Sequence, residues 1–324
     1  MRNLAAETIR KKLVAGAPLL VVFAALAAPQ GKANANAQDP TEANERCASR
    51  VSISLLGKTA TPDLMTSAAP QAGIDAMTQD PAFVERFSRF INASFNPRPA
   101  DTAAGDAAYY MTKFVLANNK PWKEMFVGAY KVDIDPANVG AGPQVLDDPN
   151  GLGYFRSKPW LVRFAGNEAS GLKIVTAYRI LQNITGLTLV ASTNAPEADV
   201  SATGRKAQPC ASCHFENWYA LDNAARVLTK RVGLDAAMTF TPPTEIPQMV
   251  ADKSVNNDKE LVEALVASED FSFNACRLAF KYLYARSEVS CEGPVFDKCM
   301  KEFKAKGTIT SAVATVAKDP SFCQ

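Results

Sequence analysis

Apolar residues recur at helical spacing along most of the chain. The pattern is clearest at residues 80–95, DPAFVERFSRFINASF, where the apolar side chains fall on one stripe of a helix. Residues 171–190, GLKIVTAYRILQNITGLTLV, repeat this spacing, and Gly186 is a natural helix terminator. Residues 105–132 predict a helix, a turn at Pro121 and a second helix or turn. The periodicity therefore predicts a mainly α protein.

The last third of the chain continues the same pattern. Residues 217–231, NWYALDNAARVLTKR, predict one helix. Gly307 predicts a stop between the last two of four further helices. These four are expected at Lys259–Ala267, Phe271–Arg286, Val295–Lys306 and Ile309–Lys318.

Other segments lack helical spacing. RVSISLLG, residues 50–57, predicts a short strand, while the Gly, Pro, Asp and Asn of residues 132–160 predict a long loop. A polar linker occupies residues 191–209. In TFTPPTEIPQMV, three prolines exclude a regular helix, since each removes a backbone donor and fixes φ.

The first 37 residues have the layout of a secretory signal peptide. A basic start at Arg10–Lys12 precedes an apolar run, Leu13–Ala28, and the small residues Ala35 and Ala37 follow. We expect cleavage after Ala37; the alternative is a retained membrane anchor. No later segment has the apolar length of a span. The predicted organisation is a signal peptide at 1–37, a helical N-terminal region at 38–200 and a third region at 201–324 that includes a C-terminal helical module.

Charge gives no indication of nucleic-acid binding. The chain holds 35 Lys and Arg and 33 Asp and Glu; five of the former and one of the latter lie in residues 1–37, so 30 and 32 remain and the net charge is −2. A nucleic-acid-binding protein needs a clustered basic surface, and none is evident.

The segment AQPCASCHFENWY contains Cys210, Cys213 and His214, the single histidine of 324 residues. C-x-x-C-H is the attachment sequence of c-type haem: two thiols bond to the porphyrin edge, and the histidine is the proximal iron ligand. A zinc site would need a fourth ligand, a thioredoxin-like pair a βαβ setting, and a disulfide of this spacing would constrain little chain. The motif therefore predicts one covalent haem c, and it makes residues 201–324 the haem c-binding region with the C-terminal helical module.

No second histidine of the same chain is available for the other axial position of the iron, which leaves Met, another side chain such as Lys or Tyr, water or an open position. Met249, in the prolyl segment 35 residues after His214, is the expected iron ligand, and Met238 is the alternative, as is an open position. Methionine ligation suits electron transfer, whereas an open position would bind a gas or a peroxide. Peroxide cleavage also needs a distal acid–base group. The sequence therefore favours an electron carrier over an enzyme.

Five cysteines remain outside the motif, four of them in the last 50 residues. In an exported chain they are candidates for disulfides. We expect Cys276–Cys291 and Cys299–Cys323, with Cys276–Cys323 and Cys291–Cys299 as the rival pairing. Cys47 would then be free or form an intermolecular bond.

Several segments together resemble a known family. The order GNEASGLKIVTAYRILQNITGL, CASCHFENWYALDNAARVL, LVASEDFSFNACRLAFKYLYAR and VAKDPSFCQ is similar to the C-terminal half of large exported single-haem c-type cytochromes, known mainly as unknown-function domains. FENWYALD stands where that family has an acidic Pro-Gly segment. The resemblance implies a cytochrome-c-like haem region between a helical N-terminal part and a disulfide-stapled C-terminal helical module.

The sequence thus predicts a periplasmic or secreted monohaem cytochrome c that transfers single electrons to or from a redox partner protein in the cell envelope. Two other functions stay open. The protein would be a haem protein that binds a gas or a peroxide, or an interaction module with a structural haem.

Overall fold

A computed structural model describes residues 40–96, 98–99, 105–157, 160–161, 164, 174–190, 197–232 and 239–324, with backbone only at 40, 230–232 and 239–240. The predicted signal peptide at 1–37 and Met238 lie outside the described residues. Residues 39–324 form one compact unit.

The prediction of a mainly α protein is confirmed. Shorter helical turns connect the main helices, at Pro62–Met65, Ile74–Met77 and Glu124–Val127. The main helices are α1 Pro40–Leu56, α2 Pro81–Phe95, α3 Ala107–Ala117, α4 Ile174–Thr185, α5 Leu221–Arg226, α6 Asp258–Val266, α7 Glu269–Tyr284, α8 Gly293–Lys306 and α9 Ile309–Ala317.

The predicted strand at 50–57 is wrong, because this segment belongs to α1. Val51 and Leu55, one helical turn apart, are fully buried, whereas Ile53 between them is 56% exposed. A strand would have placed all three side chains on one face. The buried spacing extends back to Cys47 and Ala48, so the helical period decides the structure.

The predicted loop at 132–160 contains a hairpin instead. Strand β1, Tyr130–Ile134, pairs antiparallel with β2, Pro143–Asp147, and Val132 lies opposite Val145. Pro136, Asn138, Gly140 and Gly142 occupy the connection between the strands, where Gly142 has a φ of 74°. Two smaller hairpins follow: β3, Lys230–Val232, with β4, Thr239–Thr241, and β5, Gln248–Val250, with β6, Lys253–Val255.

The four helices predicted near the C-terminus are confirmed as α6 to α9. Gly307 ends α8 in the left-handed conformation, as the sequence predicted. Helix α7 lies at the centre, because it packs on α8, α9 and α4. Its Asn274 donates to the carbonyls of Asn183 and Ile184 at the end of α4, which satisfies acceptors that the helix leaves unpaired. Helix α4 in turn packs against α5.

Two disulfides are present, and both predicted pairings are wrong. Cys276 of α7 bonds Cys299 of α8, with 5.9 Å between the Cα atoms, and Cys47 of α1 bonds Cys323, with 4.7 Å. Cys291 is a free, exposed thiol. Both predicted pairings kept every bond within the last 50 residues and left Cys47 out, whereas α7 and α8 pack with Cys276 facing Cys299, and α1 lies beside the C-terminal turn.

Within the described residues, none of the helices combines the length and the apolar character needed to cross a membrane.

Candidate functional site

The C-x-x-C-H motif lies on one short helical segment. Ser212–Glu216 form a π-helical turn, and the amide of Asn217 closes it by donating to the carbonyl of Ser212. The side-chain amide of Asn217 also donates to the hydroxyl of Ser212 at 2.9 Å. Cys210 lies two residues before this turn and Cys213 lies within it, so both belong to one continuous helical stretch.

Both motif thiols are unpaired and half-buried. Tyr219 donates its hydroxyl to the Cys213 sulfur at 3.4 Å, and this contact raises the pKa of Tyr219 above its ordinary value. Four of the other five cysteines form disulfides. The motif pair is therefore held apart from the oxidised cysteines, with both sulfur atoms available for another bond.

His214 is held by one strong hydrogen bond. Its Nδ1 lies 2.7 Å from Oδ2 of Asp222, and its side chain is only 18% exposed. An ionised carboxylate can only accept, so Nδ1–H donates. In the neutral imidazole this leaves the lone pair on Nε2, the nitrogen that faces away from the carboxylate.

Asp222 has a second partner, Arg205, and is completely buried. The Arg205 guanidinium makes a bidentate contact, Nε to Oδ2 at 3.0 Å and Nη2 to Oδ1 at 2.8 Å, and is 13% exposed. Burial opposes ionisation of Asp222, but the hydrogen bonds from His214 and Arg205 outweigh it and hold the pKa of that carboxyl below its ordinary value. The order of contacts is Arg205, Asp222, His214.

Sequence analysis missed both Asp222 and Arg205. Arg205 lies nine residues before His214 in the polar linker, and Asp222 lies eight residues after it in the first turn of α5. Neither spacing belongs to a motif, and each residue type is common. The only available signal was an acidic residue just after the motif, which can orient a histidine as well as begin a helix.

The β5–β6 hairpin packs against this region. The amide of Ala251 donates to the carbonyl of Trp218 at 2.6 Å, and the side chain of Asn223 donates to the carbonyl of Met249 at 3.3 Å. The structure thus brings the strand that carries Met249 beside α5. The Met249 side chain is 56% exposed. Its binding to iron stays a prediction.

The helix predicted at 217–231 is shorter than expected. Residues 217–220 are a turn, in which Ala220 has a φ of 22°, and α5 covers only Leu221–Arg226. The turn is needed here because it lets Asp222 reach back to His214 and leaves the Trp218 carbonyl free for Ala251.

In the part of the chain that the structure describes, no group of three or more His, Cys, Asp and Glu side chains is arranged to hold a metal ion. No protein-family model matches the chain, and no match was found among curated proteins or solved structures. The resemblance to exported single-haem cytochromes therefore stays a prediction from the residues.

Proposed function

We propose that the protein carries one haem c, bonded to Cys210 and Cys213 with His214 on the iron, and that it transfers single electrons outside the cytosol. The observation that carries this proposal is the hydrogen bond from His214 Nδ1 to buried Asp222. A metal-binding histidine usually donates its other ring N–H to such an acceptor, which fixes the tautomer and the ring orientation.

The donor set fits the group. Haem c needs two reactive thiols on one face and one imidazole nitrogen with a free lone pair. Cys210 and Cys213 are unpaired and partly accessible, and His214 presents Nε2. A zinc ion would need three or four ligands converging on one point, and such a group is not found among the described residues.

Each residue has a distinct part in this proposal. When bound, haem supplies a one-electron iron couple whose potential depends on the axial ligands and on nearby hydrogen bonds. Cys210 and Cys213 would hold the haem covalently, His214 would supply a nitrogen ligand to the iron, and Asp222 would orient the imidazole. Met249 is proposed as the second axial ligand because its strand is tied to α5 through Asn223.

Export and the redox partner belong to the same proposal. The Cys47–Cys323 and Cys276–Cys299 disulfides are compatible with an oxidising compartment outside the cytosol. Haem c attachment also takes place outside the cytosol. The partner we propose is a redox protein of the cell envelope.

The test is haem attachment in an exporting host that matures c-type cytochromes. The wild-type chain is expected to retain haem on a denaturing gel and to gain the mass of one haem. Cys210→Ala with Cys213→Ala is expected to lose both signals, while Cys291→Ala, which removes the free exposed thiol, keeps them. If the exported wild-type chain is folded and has both disulfides but carries no haem, the proposal is overturned.

The second axial ligand is tested separately. Met249→Ala is expected to keep covalent haem but to lose the low-spin spectrum of a Met/His iron and to bind CO rapidly in the ferrous state. Ile246→Ala is the matched control, since Ile246 lies in the same segment and is 44% exposed. An unchanged spectrum in Met249→Ala would exclude this ligand, and CO binding by the wild type would favour the alternative of an open site.

A further inference from the structure

Arg205, Asp222 and His214 form a row of contacts with one fully buried carboxylate at its centre. Asp222 Oδ2 accepts from both neighbours, at 2.7 Å from His214 Nδ1 and 3.0 Å from Arg205 Nε, while its Oδ1 accepts from Arg205 Nη2. No part of the Asp222 side chain is exposed. The carboxylate is therefore shared between the imidazole N–H of His214 and the guanidinium of Arg205.

We propose that Asp222 is a positioning residue that sets the electron density on His214, and that Arg205 limits this effect by sharing the carboxylate. The inference rests on the proposed function, because it concerns the imidazole as an iron ligand. A carboxylate that accepts from a ligating histidine fixes its tautomer and raises its basicity as a ligand. Burial strengthens the effect, since charges interact more strongly away from water.

The sign of each contribution follows from the charge on iron. A negative charge next to the proximal ligand stabilises the ferric state, so Asp222 lowers the reduction potential. Arg205 opposes it in two ways, because its own positive charge disfavours ferric iron and because it withdraws charge from the shared oxygen. The two residues, although paired, are expected to shift the potential in opposite directions. A pair that only stabilised the fold would have no such signature.

The molecule offers a matched control for this pair. Arg156 and Asp258 also form a bidentate contact, at 3.1 and 2.6 Å, and Asp258 is only 12% exposed. No histidine contacts Asp258, since the single histidine of the chain is His214. Asp258→Asn therefore removes an equally paired, nearly buried carboxylate charge without touching the motif.

The experiment measures the reduction potential of the haem-loaded full chain. Asp222→Asn is expected to favour the ferrous state at least tenfold, a rise of 59 mV for one electron. Arg205→Gln is expected to favour the ferric state by a smaller factor. The reduction potential of the double variant is expected to lie between those of the two single variants. For Asp258→Asn, the ratio of ferrous to ferric protein is expected to stay within twofold of the wild type.

A second readout uses the fact that the chain has one histidine. With ¹⁵N-labelled histidine, the diamagnetic ferrous protein contains a single imidazole N–H proton to assign, that of His214 Nδ1. This proton is expected to exchange slowly in the wild type, because Asp222 accepts it in a buried site. Asp222→Ala is expected to speed its exchange at least tenfold, while Asp258→Ala leaves it unchanged.

The outcomes separate this inference from the function on which it rests. A wild-type chain without haem refutes the proposed function and the inference together. A haem-loaded wild type refutes the inference alone if Asp222→Asn and Arg205→Gln shift the potential in the same direction or by less than twofold. If Asp222→Asn does not fold, the inference is tested by the potential of Arg205→Gln and by the Nδ1 proton exchange of the wild type. Fast exchange of this proton in the wild type would contradict the buried hydrogen bond to Asp222.

Discussion

The two disulfides give a quantitative prediction, because they close loops of very different length. Cys47 and Cys323 are 276 residues apart in sequence, whereas Cys276 and Cys299 are 23 apart. In the chain-entropy description a cross-link stabilises the protein by restricting its unfolded state, more so for longer loops. That description gives about 5.6 kcal/mol for the long loop and about 3.4 kcal/mol for the short one. Removing the first pair should therefore cost about 2 kcal/mol more.

The perturbations are Cys47→Ala with Cys323→Ala, and Cys276→Ala with Cys299→Ala. Each double variant and the wild type are unfolded in urea, and the free energies of unfolding in water are compared. Cys276 and Cys299 are fully buried, so alanine there also leaves a small cavity. Cys47 is buried as well, so the two double variants differ by about one such site. A methyl-sized cavity costs about 1 kcal/mol, which reduces the expected difference to about 1 kcal/mol without reversing it.

A non-reducing peptide map supplies the covalent check. The fragment with Cys47 is expected to be linked to the fragment with Cys323, and Cys291 is expected to be the one thiol that a maleimide labels in the haem-loaded protein. Three labelled thiols would mean that Cys210 and Cys213 carry no haem. A greater loss of stability in Cys276→Ala with Cys299→Ala, or a Cys276–Cys291 link in the map, would refute the reasoning.

Four further substitutions test the packing of the fold. Leu55→Ala should lower the free energy of unfolding in a urea titration by about 2–5 kcal/mol, because Leu55 is buried. Ile53→Ala should lower it by no more than about 0.5 kcal/mol, because Ile53 is exposed. Similar losses in the two variants would favour a strand at residues 50–57 over helix α1. Gly186→Ala should cost about 2 kcal/mol in the same assay, because Gly186 has a φ of 75° and a Cβ there would lie 2.7 Å from Asn274 Oδ1; a neutral effect would contradict this packing. Tyr154→Phe should cost about 1–3 kcal/mol, as it removes the hydroxyl that accepts a buried amide hydrogen bond, and an unchanged urea midpoint would show that water reaches this group.

Helix positions were largely predictable from the sequence, because the apolar residues that become buried recur at helical spacing along the chain. The helices α6 to α9 fall within two or three residues of their expected bounds, and Gly186 and Gly307 end helices as expected. The error at residues 50–57 arose because a short run of β-branched and aliphatic residues fits both periods. Only the extension back to Cys47 and Ala48 reveals the helix, and it needs the burial of those residues to be recognised.

Hairpins were harder to predict for a related reason. The residues around 135–142 are typical of a turn, and the strands on either side are short and only partly buried. Composition therefore indicated a loop. Pairing between β1 and β2 is a contact between distant residues, and no local pattern in the chain expresses it.

The sequence by itself determined the chemistry of the candidate site. Cys210, Cys213 and His214 are close in the chain, so one helical stretch contains them all, and the same chain has no second imidazole to offer a metal. Only the tertiary structure decided which residues support them. Arg205 and Asp222 meet because a turn at residues 217–220 brings α5 back onto the motif, and the disulfides follow from which helices pack. Local spacing specifies neighbours along a helix, whereas contacts between elements depend on how their buried faces fit.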